Sequence, residues 1–531
     1  MYLLLGVMVI IAAIGLSGLL ERLFTSAPTD IYFDNYGLAQ SLAFTLIAGP
    51  LAGLLWWLTW RNATNARDRA SLVWPVYLVI MSTVALLTFT IALFTWGAEL
   101  VTGRFEAYGF ARGIVWGLVW LWHYWMWRHP RKGPTRMVGV VPAIASLIGL
   151  TFAAGGLVFA LASLIDSSLD ALVGAVTVGA PPWQSIVQSL IWAVGGGVLW
   201  WWNWFRVGVR AQATGFANVL LVYIAGFASF ALVAFGITMT LVVVLELVTG
   251  SPEPLAATLD PLGVAIASAA IGALVLVYHA RVVATHSVAV VSATRLVSSG
   301  ASLAVAATGI GVTVNALLAT LTSPLIDYSI RNLLLGGISA LLVGGALWWV
   351  TWRPVSASAP DRVATGGRRT YLVVIFGVSA LVALITLLVI GFQLFSFILD
   401  GGSGESFIER SRQALGLLAA TLLVAVYHFT IWQKDRASSV TQEHVRRIER
   451  VTLVTAGHGA ELAEAIRSST GARVTVLKRE ETAAGEVDAT VLVSAVVAAL
   501  DGVEAHHVLV VPGGSAGAVK SAKVDVIRLA D

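Results

Sequence analysis

From Met1 to about Trp432 the chain is a succession of apolar runs near 20 residues or longer, separated by short polar stretches. Each run can cross a hydrocarbon core about 30 Å thick. Lipid offers no partner to a free peptide N–H or C=O, so every run is predicted to be helical. The two-residue alternation of a β-barrel strand is absent. Twelve spans follow, at about 2–20, 38–60, 72–98, 112–127, 138–165, 184–205, 216–247, 262–280, 297–322, 330–352, 371–399 and 411–432. The first reads as a span rather than a leader: it has no basic n-region, and Glu21-Arg22 follows where a small-residue cleavage site would stand.

The connecting loops fall into two alternating sets. One carries Arg61, Arg67 and Arg69, then Arg128, Arg131, Lys132 and Arg136, then Arg206 and Arg210, Arg281 and Arg295, and finally Arg353, Arg362, Arg368 and Arg369. The other carries acids, among them Glu21, Glu99, Glu106, Asp166, Asp170, Glu246, Asp260, Asp327, Asp400 and Glu409. Basic loops stay in the cytoplasm. With an even number of spans across the bacterial inner membrane, both termini are predicted to lie in the cytoplasm.

Every second span ends on its basic side with a related aromatic string. The strings are Trp56-Trp57-Leu58-Thr59-Trp60, Trp120-Leu121-Trp122-His123-Tyr124, Trp200-Trp201-Trp202-Asn203-Trp204, Leu276-Val277-Tyr278-His279-Ala280, Trp348-Trp349-Val350-Thr351-Trp352 and Ala425-Val426-Tyr427-His428-Phe429. The fourth place is always polar and alternates between Thr or Asn and His. Gly53, Gly197 and Gly345 precede it in the odd copies, and Tyr77, Tyr223 and Tyr371 recur 146 and 148 residues apart. Several residue types keeping one period is the mark of a repeat. Six hairpins thus pair into three four-helix units, 1–136, 137–295 and 296–436, arranged as a ring or as a row.

These hairpins, ending in Trp-x-x-His-Tyr or Trp-x-x-Thr-Trp followed by Arg, with Arg368-Arg369-Thr370-Tyr371-Leu372 opening a span, resemble the bacterial membrane domain of unknown function 5671 in tandem copies over about residues 1–435. Copies four and six depart from the pattern, with Leu276 and Ala425 in place of the leading Trp. The resemblance implies a membrane location and a repeat organisation, and no activity.

Composition agrees. Of 531 residues 58% are hydrophobic and 12% charged, with a mean hydropathy of +0.84, against about 25% charged in soluble domains. The absence of cysteine excludes disulfides, thiolate metal sites and cysteine nucleophiles. A net charge of +4 is too small to imply a nucleic-acid partner.

Two chemistries are weighed for the repeat-equivalent histidines. Neutral imidazoles at one depth can ligate iron, so a pair drawn from His123, His279 and His428 is a candidate b-type haem site. The structural alternative is an aromatic belt in which His sits beside Trp and Tyr at headgroup level. Thr59, Asn203 and Thr351 fill the same slot in the odd copies, which favours the belt. No acid or base stands at the centre of a span, and this disfavours ion-coupled transport. Asn315 is read as a helix–helix hydrogen bond, and Gly195-Gly196-Gly197 and Gly344-Gly345 as sites of close helix packing.

After Trp432 the composition becomes polar. A linker at 437–449 leads to a domain at 450–531 with strands at 450–455, 473–478, 507–511 and 524–529, a helix at 459–469, and another capped by Asp488 and running to Leu500. Strands alternating with helices predict a small, partly parallel α/β layer. The turn Ala456-Gly457-His458-Gly459 offers backbone N–H groups at a helix start, where Gly457 and Gly459 form a candidate anion loop, or a plain turn. The predicted fold class is therefore all-α polytopic with a cytoplasmic α/β domain. The expected function is a non-enzymatic membrane scaffold, sensor or accessory subunit that works with the bilayer and with a protein partner or further copies of itself. The alternatives are a carrier or channel for an uncharged or lipid-like substrate and a haem-bearing electron-transfer protein.

Overall fold

The runs fold as helices in the computed structural model, which describes residues 1–25, 35–62, 71–174, 179–212, 214–322, 328–357, 362–402, 405–443, 448–479, 489–501, 503, 505–513 and 523–529. In order they are α1 (Tyr2–Phe24), α2 (Asn35–Asn62), α3 (Val73–Leu100), α4 (Ala107–Arg128), α5 (Val140–Val173), α6 (Pro182–Trp201), α7 (Gly215–Thr249), α8 (Leu255–Val283), α9 (Val288–Thr322), α10 (Tyr328–Ala357), α11 (Arg362–Leu399) and α12 (Phe407–Glu443). Among the described residues ten are long and apolar enough to cross a bilayer, α4 and α6 falling outside that set. Both are short, and α4 carries Arg112 within it.

Several helices outrun their hydropathic signal. α9 begins at Val288 rather than 297, α11 at Arg362 rather than 371, and α12 continues to Glu443. Hydropathy marks only the part that lipid would tolerate, whereas the i to i−4 hydrogen-bond ladder continues through polar residues until a breaker or cap ends it. One such end is Gly174 after α5, which takes the left-handed conformation (φ +67°) that glycine adopts without cost. Single π turns interrupt α2 at Phe44–Ala48 and α7 at Tyr223–Ala228, and another extends α6 over Trp202–Arg206.

The packing repeats. α1 packs on α4 and α5 on α8; α3 packs on α4 and α7 on α8. α1, α5 and α9 each pack along the helix that follows them. Glycine lets backbones meet in these pairs. A Cβ on Gly156 would lie 2.7 Å from the Ser189 carbonyl, and one on Gly337 would lie 2.7 Å from Thr313 N. The third helix then reaches forward along the chain: α3 packs on α5 and α6, and α7 on α9 and α10.

Chain contacts divide the protein into two bodies, Met1–Val426 and Tyr427–Asp531. In the second, β1 (Arg450–Thr455), α13 (Gly459–Thr470), β2 (Arg473–Lys478), α14 (Ala489–Leu500), β3 (His507–Gly513) and β4 (Lys523–Leu529) follow in order. The sheet order is β2-β1-β3-β4. β1 runs parallel to both β2 and β3, with Val451 opposite Val474 and Val508, and β4 closes the edge antiparallel to β3. Val451, Leu453, Val508 and Val510 pack with Leu462 and Ile466 of α13 and Val496 of α14 in one core. The predicted strands thus stand within two residues of their places. Asp488, the predicted cap, lies outside the described residues.

Candidate functional site

The aromatic strings build one device three times. Trp56 stacks on Trp60 (6.0 Å, 22°), Trp200 on Trp204 (6.3 Å, 22°) and Trp348 on Trp352 (6.4 Å, 10°), each one helical turn apart. Between each pair stands the polar place, and its side chain bonds to its own helix. Thr59 Oγ1 donates to the Leu55 carbonyl at 2.9 Å, Asn203 Nδ2 to Leu199 at 2.9 Å and Thr351 Oγ1 to Leu347 at 2.9 Å. His123 Nδ1 donates to Val119 and His279 Nδ1 to Val275, each at 2.8 Å. All five partners are the i−4 carbonyl. Among apolar helices that carbonyl is the one acceptor always within reach, so the slot admits any short side chain whose donor can turn back to it.

Most of these polar places are buried in protein. Thr59, His123, His279 and His428 are at most 1% exposed, and Asn203 is buried as well. Thr59, Asn203 and the Nδ1 atoms of His123 and His279 are satisfied there by their own helix.

The aromatic faces differ in what they gather. At the basic end of the first hairpins Trp60 meets Trp74, Trp125 and His129, Trp56 meets Trp122, and Tyr2 meets Trp74 and Tyr77. Lys132 donates from Nζ to the Trp60 carbonyl at 2.8 Å and lies 4.8 Å from the Trp60 ring centroid; Trp74 Nε1 donates to the Lys132 carbonyl at 3.1 Å. The loop after α4 is thereby tied to the end of α2 and the start of α3. Arg61, Arg128, Arg206, Arg210 and Arg436 lie over Trp57, Tyr124, Trp201, Phe205 and Trp432, where guanidinium and ring face attract.

His123 carries a second bond. A carbonyl only accepts, so Nδ1 holds the proton and Nε2 of the neutral ring is an acceptor; the Tyr77 hydroxyl donates to it at 3.1 Å. Tyr77 stood out in the sequence by its period, but nothing there named its partner, which sits on the facing helix α4. His279 has no such donor: its Nε2 is buried without a hydrogen-bond partner among the described residues. Tyr223, which keeps Tyr77's period, is 44% exposed and begins the π turn of α7, while Trp200, Trp204 and Tyr278 surround the imidazole. Tyr371 meets Ser299 at 3.4 Å and stacks on Trp352. The three histidines stand on three helices, α4, α8 and α12, and His123 and His279 differ in setting. No group of three metal-binding side chains occurs among the described residues.

At the acidic end α9 and α12 are joined by a polar chain. Thr322 Oγ1 donates to Glu409 Oε2 (2.5 Å), Arg412 Nε donates to Glu409 Oε1 (2.9 Å), and Arg412 Nη1 donates to Asn315 Oδ1 (2.9 Å). Asn315 thus makes the interhelical bond expected of it. Asn315→Leu leaves a guanidinium N–H without its acceptor, and about 1.5–3 kcal/mol of stability should be lost. Thermal unfolding in detergent reads this directly, with Asn315→Asp keeping most of the midpoint.

In the second body His458 adopts a left-handed conformation (φ +55°) just before α13. Thr455 Oγ1 donates to the Gly457 carbonyl at 2.7 Å, and a Cβ on Gly459 would meet Val476 at 3.0 Å, so this turn is shaped by packing. Glu461 stands in the first turn of α13, 3.7 Å from His458, and opposes an anion there. His507 bonds Thr452 and His506 faces Glu449, so the histidines serve separate partners.

Among known proteins, no curated protein and no solved structure matches the chain. A family profile described as a domain of unknown function (DUF5671) matches residues 1–112 and 292–426. The first segment runs from α1 into α4 and the second from α9 into α12, and each holds a Trp stack and an opening tyrosine, Trp56–Trp60 with Tyr77 and Trp348–Trp352 with Tyr371. Two segments of the chain thus match this domain, one in the first helices and one in the last.

Proposed function

We propose that the protein is a non-enzymatic scaffold of the bacterial inner membrane. It has twelve spans in three four-helix units (1–136, 137–295, 296–436), both termini in the cytoplasm, and the α/β domain (450–531) as an interaction module. Residues 137–291, outside the family match, form the middle unit of the same design. α4 and α6 count as spans because each lies between two spans and carries the aromatic string of its copy.

The observation that carries this reading is the recurring seam: α3 packs on α5 and α6 as α7 packs on α9 and α10. A seam used twice supports a row of units, which would present a long, regular platform within the bilayer. The orientation is supported by the basic residues gathered at one end with Tyr2, Trp60, Trp74 and Lys132.

The test is reconstitution of the full chain in proteoliposomes. Release of uncharged solutes and movement of labelled lipid between leaflets should match protein-free vesicles, while crosslinking in native membranes through Glu464 of α13 should capture a second polypeptide. Saturable flux above the protein-free rate would replace the scaffold with a carrier. A haem at His123, His279 or His428 would announce itself as a Soret band in the purified protein.

A further inference from the structure

We propose that the row continues from one molecule to the next: α11 of one copy packs on α2 of a second copy, through the seam that joins units within the chain. The proposal rests on the three-unit reading above.

Within the chain, the seam between the first two units has a defined centre. Phe94 of α3 packs on Gly195 of α6, with its ring also 5.4 Å from Trp192 and 5.8 Å from Phe152. A Cβ on Gly97 would lie 3.3 Å from Ile191, and Gln188 Nε2 donates to the Ala98 carbonyl at 3.1 Å. Each position has counterparts in the repeat. Gly195 stands five residues before Trp200, as Leu51 stands before Trp56 and Val343 before Trp348. Counted from Tyr77 and Tyr371 along two uninterrupted helices, Phe94 corresponds to Leu388, Gly97 to Gly391 and Ala98 to Phe392.

The counterparts differ in one respect. Where a neighbouring unit exists the position is covered: Phe94 is 7% exposed and Val343, on α10, 8%. At the ends of the row it is bare: Leu51 is 44% exposed, Leu388 67% and Phe392 74%, and nothing lies within 4 Å of a Cβ on Gly391. The same holds for whole helices. In their most apolar stretches α2 and α11 are 11% buried, the lowest of the ten, against 28–50% for the rest. The row thus ends in the two halves of one joint, a second-helix face on α2 and a third-helix face on α11. Both halves sit at the same depth in two molecules inserted the same way. Lipid can cover either half, but a second copy offers the matching surface, and packing between matched helix faces is what drives association in a bilayer. Such contacts are head-to-tail, so they close into a ring or run on as a file, and they are not a two-fold dimer.

The chain contains no cysteine, which makes the test direct. Chains carrying Leu51→Cys and chains carrying Leu388→Cys, with different tags, are co-expressed and treated in native membranes with a short bis-thiol reagent. A Phe94→Cys/Gly195→Cys chain reports the internal seam through loss of both free thiols, and Leu274→Cys on α8, 63% exposed, reports chance encounters in lipid. The expected result is a mixed-tag dimer from Leu51→Cys with Leu388→Cys, several-fold above Leu51→Cys with Leu274→Cys and above either chain alone. If the internal pair links and the mixed pair stays at the Leu274→Cys level, molecules do not join end to end and the proposal falls while the unit row stands. If the internal pair fails to link, the seam itself is wrong and both fall. A dominant Leu51→Cys homodimer would replace head-to-tail joining with a two-fold contact.

Discussion

Gly196→Val is expected to abolish the folded protein, whereas Gly197→Val, one residue along, is expected to leave it intact. A Cβ on Gly196 would lie 2.7 Å from the Gly149 carbonyl and 2.7 Å from Phe152 Cβ, and would strike the Ala153 backbone N as well, so α5 and α6 would have to separate. Backbone cannot give way as a side-chain tip does, and overpacking of this kind costs about 3 kcal/mol or more. Around Gly197 nothing lies within 4 Å of a Cβ. Gly195 falls between them: its Cβ would strike the Phe94 ring, which can turn, so Gly195→Val should loosen the seam between the first two units without unfolding either. Detergent-extracted yield and the thermal midpoint measure all three. Equal losses at Gly196 and Gly197 would contradict the packing of α5 on α6.

The second large effect separates two histidines that the sequence makes equivalent. His123→Phe keeps the aromatic volume but leaves the buried Tyr77 hydroxyl without its acceptor, and a loss of about 1–3 kcal/mol is expected. His279→Phe removes an Nε2 that has no partner among the described residues, so its stability should change by less than about 1 kcal/mol, with a gain as the favoured sign. His123→Phe combined with Tyr77→Phe should recover most of the loss, because replacing both partners by apolar rings of similar shape leaves no orphan. Thermal unfolding of the four variants decides it. A loss at His279→Phe as large as at His123→Phe would show that the middle imidazole holds a ligand, and the scaffold reading would then need a binding site.

Much of this architecture is written in the sequence because lipid is an exacting solvent. A run of 20 apolar residues has one way to satisfy its backbone, so the spans are visible without their neighbours. The strands of the α/β domain are visible for a related reason: β1 alternates covered Val451 and Leu453 with more exposed neighbours, and Gly471 marks the end of α13. What the sequence hides is rotation about each helix axis. When every face is apolar, no amphipathic pattern says which side meets protein, so His123 and Thr59 read as belt residues although they point inward. Nor does the run Gly195-Gly196-Gly197 reveal that one glycine meets a ring, one a backbone and one nothing. The bond of Tyr77 to His123 depends on the pairing of α3 with α4, and the proposed row on which third helix reaches which second helix; both are properties of the assembled bundle. Helix ends were legible only where a glycine or a cap stood at them, which is why α9, α11 and α12 run past their hydropathic limits.

The central claim of the proposed function is that the chain threads the membrane twelve times and leaves its basic loops and its α/β domain on one side. Single cysteines placed in the cysteine-free protein test it, using a maleimide that cannot enter intact cells. Arg104→Cys and Glu405→Cys should react in intact cells. Arg131→Cys, Arg210→Cys and Glu449→Cys should react only after the inner membrane is opened. Reaction of Glu449→Cys from outside, or of Arg104→Cys and Arg131→Cys from the same side, would contradict the account.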